Sequence, residues 1–153
     1  MMLDEQLMER DWAADVDDDD EEPAPTRVLV VEDDEELRAL IAHALRREGY
    51  AVFELSDGDR LLKYIHGMRH GEADDGDDVD LVISDVRLPG RSGLDALEEL
   101  RERDRGLPMI LMTAFPGPEL REAVDRAGAA VIFDKPFDLE DLCTAANYFA
   151  ATR

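Results

Sequence analysis

Side chains that can bind a metal or transfer a phosphoryl group follow four short apolar runs of this sequence. They are Glu32, Asp33 and Asp34 after the first run, Asp85 after the third, Thr113 after the fourth, and Asp134 and Lys135 after the fifth. Carboxylates packed together repel one another unless a cation compensates, and oxygen ligands favour a hard cation such as Mg²⁺. A carboxylate beside Mg²⁺ can attack phosphorus to give an aspartyl phosphate. These residue types therefore indicate a Mg²⁺-assisted phosphoryl acceptor.

Taken singly, each of these residues also has a plainer interpretation. Asp33 or Asp34 could cap the helix that follows, Asp85 could belong to a turn, and Thr113 could simply end a strand. Lysine is rare in this chain, with two lysines against fifteen arginines, so Lys135 beside an apolar run is notable as a positive charge for a phosphoryl oxygen. It is the presence of the whole set, each member after a different run, that favours a site.

The apolar runs are continuous rather than alternating, which is typical of strands buried on both faces. They are Val28–Val31, Ala51–Leu55, Leu81–Ser84, Met109–Met112 and Ala130–Phe133. Helical spacing of apolar residues between and after them predicts helices, with Gly49 and Gly128 as closing glycines and Asp138 as the N-cap of the last helix. Alternating strands and helices predict an α/β fold, a doubly wound five-stranded parallel sheet whose functional site lies at the carboxyl ends of the strands.

Composition narrows the function classes. The chain has 153 residues, enough for one domain, 44% of them hydrophobic, and a net charge of −22. Such an acidic chain is expected to bind neither nucleic acid nor anionic membranes. The single cysteine, Cys143, is expected to be a buried, unreactive thiol, and neither a signal peptide nor a membrane span is apparent, so a cytoplasmic location is expected.

Domain boundaries follow from the distribution of charge. Residues 1–25 contain eleven acidic residues and one arginine, and a disordered acidic tail is the favoured interpretation. A short docking helix is the alternative, because four large apolar residues fall at helical spacing: Leu3, Leu7, Met8 and Trp12. The globular domain is expected at residues 26–153, with a flexible acidic insertion at 67–79.

Four segments carry a family resemblance, namely Val28–Arg38, Asp80–Leu94, Ile110–Ala114 and Phe133–Asp138. Together they resemble the receiver domains of response regulators in two-component signalling, and the similarity runs from Thr26 to about Ala151. The resemblance implies a flavodoxin-like fold with strand order 2-1-3-4-5. It also implies a histidine kinase or histidine phosphotransfer protein as phosphodonor, a downstream protein target, and no enzymatic activity beyond the phosphorylation and dephosphorylation of its own aspartate.

The resemblance also assigns roles to residues. Asp85 matches the phospho-acceptor, Thr113 the switch hydroxyl and Lys135 the phosphate-pairing lysine, with a cis bond between Lys135 and Pro136. The ligands of Mg²⁺ would be Glu32, Asp33, Asp85 and the backbone carbonyl of Arg87. Asp33 is the member of the acidic pair favoured for direct contact with the metal.

The sequence departs from the family at one position. An aromatic switch residue usually stands three positions before the lysine, and here that residue is Ile132. Phe133 is adjacent, but it is expected to point to the opposite face of the sheet. No output domain is expected after the fifth helix.

Two other functions compete with the phosphorylated receiver. The first is a degenerate receiver that serves as a constitutive interaction module, which Ile132 favours and the complete set of site residues disfavours. The second is a Mg²⁺-dependent phosphohydrolase or toprim-like nuclease. Such sites need another carboxylate two residues after the first, whereas Asp85 is followed by Val86 and Arg87.

Overall fold

The chain forms one parallel sheet of five short strands. This computed structural model describes residues 24–68, 78–103, 106–128 and 130–151. The strands are β1 Arg27–Val31, β2 Ala51–Leu55, β3 Leu81–Asp85, β4 Met109–Thr113 and β5 Ala130–Asp134. Their order across the sheet is β2-β1-β3-β4-β5, and every neighbouring pair is parallel. The predicted fold class and strand order are confirmed.

A helix follows each strand. The helices are α1 Glu35–Arg47, α2 Gly58–His66, α3 Gly93–Arg103, α4 Pro118–Ala127 and α5 Leu139–Ala151. Apolar residues of α1 and α5 form a core on one face of the sheet, and those of α2, α3 and α4 form a second core on the other face. The alternation of elements requires α2, although its bounds are not predicted from the sequence.

The prediction that all five strands are buried on both faces is correct for three of them and wrong for the two edges. Strands β1, β3 and β4 are almost wholly buried, whereas β2 and β5 are partly exposed. In β2 the side chain of Phe53 is 48% exposed, because an edge strand has a neighbour on one side only. The three strands that follow β2 each extend one residue further than predicted and so include Asp85, Thr113 and Asp134.

The acidic segment expected at 67–79 is anchored at both ends by buried residues. Met68 and Val79 belong to the core beneath α2, and the backbone N–H of Val79 donates to the hydroxyl of Tyr64 at 2.9 Å. Residues 69–77 and 1–23 lie outside the described residues, so the expected insertion and tail stay predictions. Within the described ranges, no helix is long and apolar enough to cross a lipid bilayer.

Candidate functional site

Three charged side chains meet where β1, β3 and β5 end. Glu32 directly follows β1 and is 1% exposed, and Asp85 ends β3 and is 6% exposed. Lys135 directly follows β5, and its Nζ donates to Oε1 of Glu32 and to Oδ2 of Asp85, each at 2.9 Å. Pairing of β5 with β4 positions Lys135, since its backbone N–H donates to the carbonyl of Thr113 at 2.7 Å. Side chains from three strands therefore converge as the sequence predicts.

Burial perturbs the pKa values of this group. Burial raises the pKa of Glu32, and this effect outweighs the hydrogen bonds from Lys135 and from the backbone N–H of Asp34, which lower it. Burial alone would lower the pKa of Lys135, but its hydrogen bonds to Asp85 and Glu32 outweigh burial and raise the pKa. Lys135 therefore stays a cation at neutral pH and compensates carboxylates that would otherwise be costly to bury.

Three carboxylates are placed to hold a metal ion. One oxygen each from Glu32, Asp33 and Asp85 lies within 4.8 Å of the others, and Asp33 is the exposed member. All the donors are oxygen atoms and outnumber the one ammonium at the site, which fits a hard divalent cation. These residues therefore fit the Mg²⁺ that the resemblance implies.

The neighbouring acid, Asp34, has a different task. Its Oδ1 accepts from the backbone N–H groups of Glu36 and Leu37, at 3.0 and 3.2 Å, and so caps the start of α1. Of the two acids that could cap this helix, Asp34 does so, and Asp33 lies in the carboxylate cluster.

The loop after β3 holds Asp85 closely. The backbone N–H of Arg87 donates to Oδ1 of Asp85 at 3.2 Å, and the hydroxyl of Ser84 donates to its carbonyl at 2.9 Å. Gly93 begins α3 against the same carbonyl, and a Cβ at this position would lie only 2.4 Å from that oxygen. A residue larger than glycine would therefore displace either α3 or the backbone of Asp85.

Thr113 lies at the end of β4, beside β3, and is 2% exposed. Its Oγ1 accepts from the backbone N–H of Phe115 at 3.1 Å and so organises the loop before α4. The guanidinium of Arg87 lies 4.9 Å from the centre of the Phe115 ring. This cation–π contact joins the loops after β3 and β4, and the sequence analysis does not predict it because the two residues are distant in sequence.

The prediction for Ile132 and Phe133 is confirmed. Ile132 packs on the core beneath α2, α3 and α4, and Phe133 on the core beneath α1 and α5. The Phe133 ring meets that of Phe137 edge-on, with centroids 5.8 Å apart. The bond between Lys135 and Pro136 is cis, as the resemblance implies.

One residue near the site is missed by the sequence analysis. The guanidinium of Arg38 donates to the carbonyl of Glu32 at 2.8 Å and to Oε1 of Glu54 at 3.2 Å. It thereby fixes the backbone that carries the buried acid. Arg38 is one of fifteen arginines, and nothing in the sequence distinguishes it from the others. Its contact with Glu32 depends on how α1 crosses the end of β1.

Comparison with known proteins agrees with the fold. Residues 28–147 match the family model for the response regulator receiver domain. A probable transcriptional regulatory protein, TcrX of Mycobacterium tuberculosis, is 36% identical over 118 residues, which are 77% of this chain and 47% of that protein. The sporulation initiation phosphotransferase F of Bacillus subtilis is 27% identical over 80% of this chain and 92% of its own length.

A solved structure, the chemotaxis response regulator CheY4 of Vibrio cholerae, superposes with a TM-score of 0.68 at 26% identity, over 82% of this chain and 99% of its own. The chain spans about half the length of several curated relatives. Because these relatives are named transcriptional regulatory proteins, the expected lack of a nucleic-acid partner stays a prediction. Receiver domains are signalling modules rather than true enzymes. With its fold, its convergent acids and lysine, and a family match over most of its length, this chain belongs to the response regulator receiver domain family of two-component signalling.

Proposed function

We propose that this chain is a cytoplasmic receiver that accepts a phosphoryl group on Asp85 and signals through protein contacts. The observation that carries the proposal is the bridging of Asp85 and Glu32 by Lys135 at 2.9 Å on each side. A cation held by two acids can offer its charge to a phosphoryl oxygen once one acid is esterified. The oxygens of Asp85 are thus placed where a phosphoryl group would meet a compensating charge.

The proposed reaction moves one phosphoryl group between two side chains. A carboxylate oxygen of Asp85 attacks the phosphorus of a phosphohistidine, the bond between phosphorus and imidazole nitrogen breaks, and its electron pair stays on the imidazole. Lys135 then faces the new dianionic group, and the hydroxyl of Thr113, the residue after the β4 partner of Asp85, turns toward it. Hydrolysis of the acyl phosphate by water returns Asp85 to its carboxylate and resets the protein.

A bound metal ion fits this proposal. Glu32, Asp33, Asp85 and the backbone carbonyl of Arg87 are the groups that would hold Mg²⁺. When bound, Mg²⁺ supplies positive charge that stabilises the transferring phosphoryl group. Asp33 is the acid with most access to solvent, so its side chain can adjust to an incoming ion without disturbing the buried core.

An apolar groove beside the site supports a protein as the phosphodonor. The groove has a volume of about 500 Å³ and passes Lys135 between the start of α1 and the start of α5. Its apolar lining is Leu37, Leu40, Ala114, Pro136, Phe137 and Leu139. Leu40 is 51% exposed and is continuous with the rest of this apolar lining, and a continuous exposed apolar patch is typical of a contact surface. A helix of a histidine kinase or phosphotransfer protein could pack here and present its phosphohistidine to Asp85.

Two kinds of donor test this part of the proposal. Leu40→Ala should slow phosphoryl transfer from a phosphorylated histidine phosphotransfer protein and leave the rate with acetyl phosphate unchanged, because the small donor needs no groove. Tyr148→Ala is the matched control, since Tyr148 is 66% exposed on α5. An equal loss with both donors would mean that Leu40 supports the fold of the site and that the groove does not select the donor.

The second candidate is a constitutive interaction module that is never phosphorylated. Ile132 favours it, because a β-branched side chain packed on the core cannot make the large rotamer change that an aromatic switch residue makes. The complete set of Asp85, Thr113 and Lys135 favours the phosphorylated receiver. Labelling of Asp85 by a small phosphodonor decides between the two.

A further inference from the structure

A second groove lies on the other face of the sheet, along the edge strand β2. It has a volume of about 470 Å³, and its lining includes Leu29, Phe53, Leu55, Arg60, Lys63 and Tyr64. One acid, Glu54, also lines it, but its carboxylate is paired with Arg38 and Arg46 of α1. Phe53 is paired in register with Leu29, so both side chains stand on the face that α2 covers. Yet α2 has only nine residues, and Phe53 stays 48% exposed. A half-exposed aromatic residue in an apolar groove indicates a contact surface.

The polar rim of this groove indicates the charge of its occupant. Lys63 is exposed, and the part of the chain that the structure describes offers it no ion-pair partner. The side chain of Arg60 is 70% exposed, and among the described residues its one ion pair is with Asp57, at 3.6 Å. Arg60 and Lys63 lie on successive turns of α2 and so place two positive charges on one side of the groove. An occupant that is both apolar and acidic would match them.

The chain itself supplies such a segment close by. The carbonyl of Thr26 accepts from the backbone N–H of Ala51 at 2.9 Å, so the chain before β1 leaves the domain beside the first residue of β2. Residues 1–23 precede this point and contain eleven acidic residues and one arginine. Four large apolar residues within them fall at helical spacing: Leu3, Leu7, Met8 and Trp12.

The lengths also agree. A helix over residues 3–12 would be about 15 Å long, and five residues of β2 span about 17 Å. Residues 13–26 could extend for about 45 Å, which is ample to return from β1 to the adjacent strand. Residues 13–26 are therefore long enough to let residues 3–12 reach the groove. Because the segment is tethered close to the groove, its effective concentration there favours it over a separate partner.

We propose that residues 3–12 dock as an amphipathic helix in the groove between β2 and α2. Met8 and Trp12, which are four residues apart and so share a face of the helix, would cover Phe53, and the acids on either side of them would face Arg60 and Lys63. The interaction is intramolecular, and it does not depend on whether Asp85 is phosphorylated.

Trp12 is the only tryptophan of the chain, so its fluorescence reports the docking directly in the full-length protein. We expect a blue-shifted emission that is shielded from iodide quenching. Phe53→Ser should shift the emission to the red and restore quenching. Lys63→Glu should act in the same direction, and salt should weaken the docking because exposed charges are screened. Tyr148→Ser, which removes an exposed ring elsewhere, should leave the emission unchanged. Far-UV circular dichroism verifies that each variant is folded.

Three results would overturn the proposal. Equal emission and quenching in the wild type and in a folded Phe53→Ser variant would place Trp12 outside the groove. An emission that depends on protein concentration would make a second copy the source of the segment. Amide exchange of residues 51–64 that is unchanged by deletion of residues 1–23 would mean that another segment or a partner covers the groove.

Discussion

Lys135 Nζ lies 2.9 Å from Oδ2 of Asp85, although fifty residues separate the two in sequence. The same ammonium contacts Glu32, so one cation from the end of β5 balances two buried carboxylates from the ends of β1 and β3. Because unpaired charges are costly to bury, this arrangement ties the stability of the domain to the composition of its site.

Removal of that cation should destabilise the domain. Lys135→Met leaves Glu32 and Asp85 uncompensated, and we expect a loss of about 2 kcal/mol in the free energy of unfolding at neutral pH, measured by urea denaturation. An arginine outside the site gives the control, since Arg126→Met alters an exposed residue of α4 and should change this free energy by less than about 0.5 kcal/mol. The loss should shrink in a Glu32→Gln background, where one buried carboxylate is already absent. An equal loss of unfolding free energy in the wild-type and Glu32→Gln backgrounds would mean that Lys135 does not stabilise the domain through Glu32.

Magnesium should stabilise the protein through the carboxylate cluster. Millimolar Mg²⁺ should raise the melting temperature, because binding to the folded state alone stabilises it, and Asp33→Ala should abolish most of this rise. Asp34→Ala is the matched control. It removes the cap of α1 and should cost about 1 kcal/mol of stability, yet it should keep the response to Mg²⁺. If Asp33→Ala responds as the wild type does, the ion binds elsewhere in this acidic chain.

The close approach of α3 to the acceptor makes Gly93 critical. Gly93→Ala places a methyl group against the carbonyl of Asp85, where the available distance is 2.4 Å, and should cost about 1–3 kcal/mol of stability. It should also slow phosphorylation of Asp85 at temperatures where the variant is still folded. Gly67→Ala tests the same substitution at the end of α2, where a Cβ would meet only ordinary contacts of 3.6 Å, and it should be nearly silent. Similar effects of the two substitutions would mean that the close approach of Gly93 to Asp85 is not critical.

Phosphorylation should remodel the loop before α4. When the Thr113 hydroxyl turns toward a phosphoryl oxygen, the backbone N–H of Phe115 loses its acceptor, and the Phe115 ring is then held only through Arg87. We expect faster amide exchange at residues 114–119 with a beryllofluoride mimic, while Ile132 keeps its rotamer. Unchanged exchange across residues 114–127 would support the constitutive interaction module instead.

The sequence predicts the sheet and its site well because parallel strands leave a strong pattern. Continuous apolar runs mark β1, β3 and β4, and the polar residue after each run must lie at the same edge. The exposure of Phe53 is not predicted, because strand order, and hence which strand is an edge, comes from tertiary packing. The same holds for the contact of Arg87 with Phe115, which depends on the relative position of two loops.

The choice between Asp33 and Asp34 shows a limit of local patterns. Both acids precede α1 and both suit a helix cap, so their types and spacing alone leave the assignment open. The backbone geometry decides it, since Asp34 directs its carboxylate at the N–H groups of the first turn and Asp33 stays with the cluster.

The central claim is that Asp85 accepts the phosphoryl group, and intact-mass measurement after incubation with acetyl phosphate and Mg²⁺ tests it most directly. The wild type should gain the mass of one phosphoryl group, and mild alkaline treatment should remove it, because base hydrolyses an acyl phosphate. Asp85→Asn should gain nothing, and Asp134→Asn, at the end of β5, should label as the wild type does. Undiminished labelling of Asp85→Asn would contradict the account.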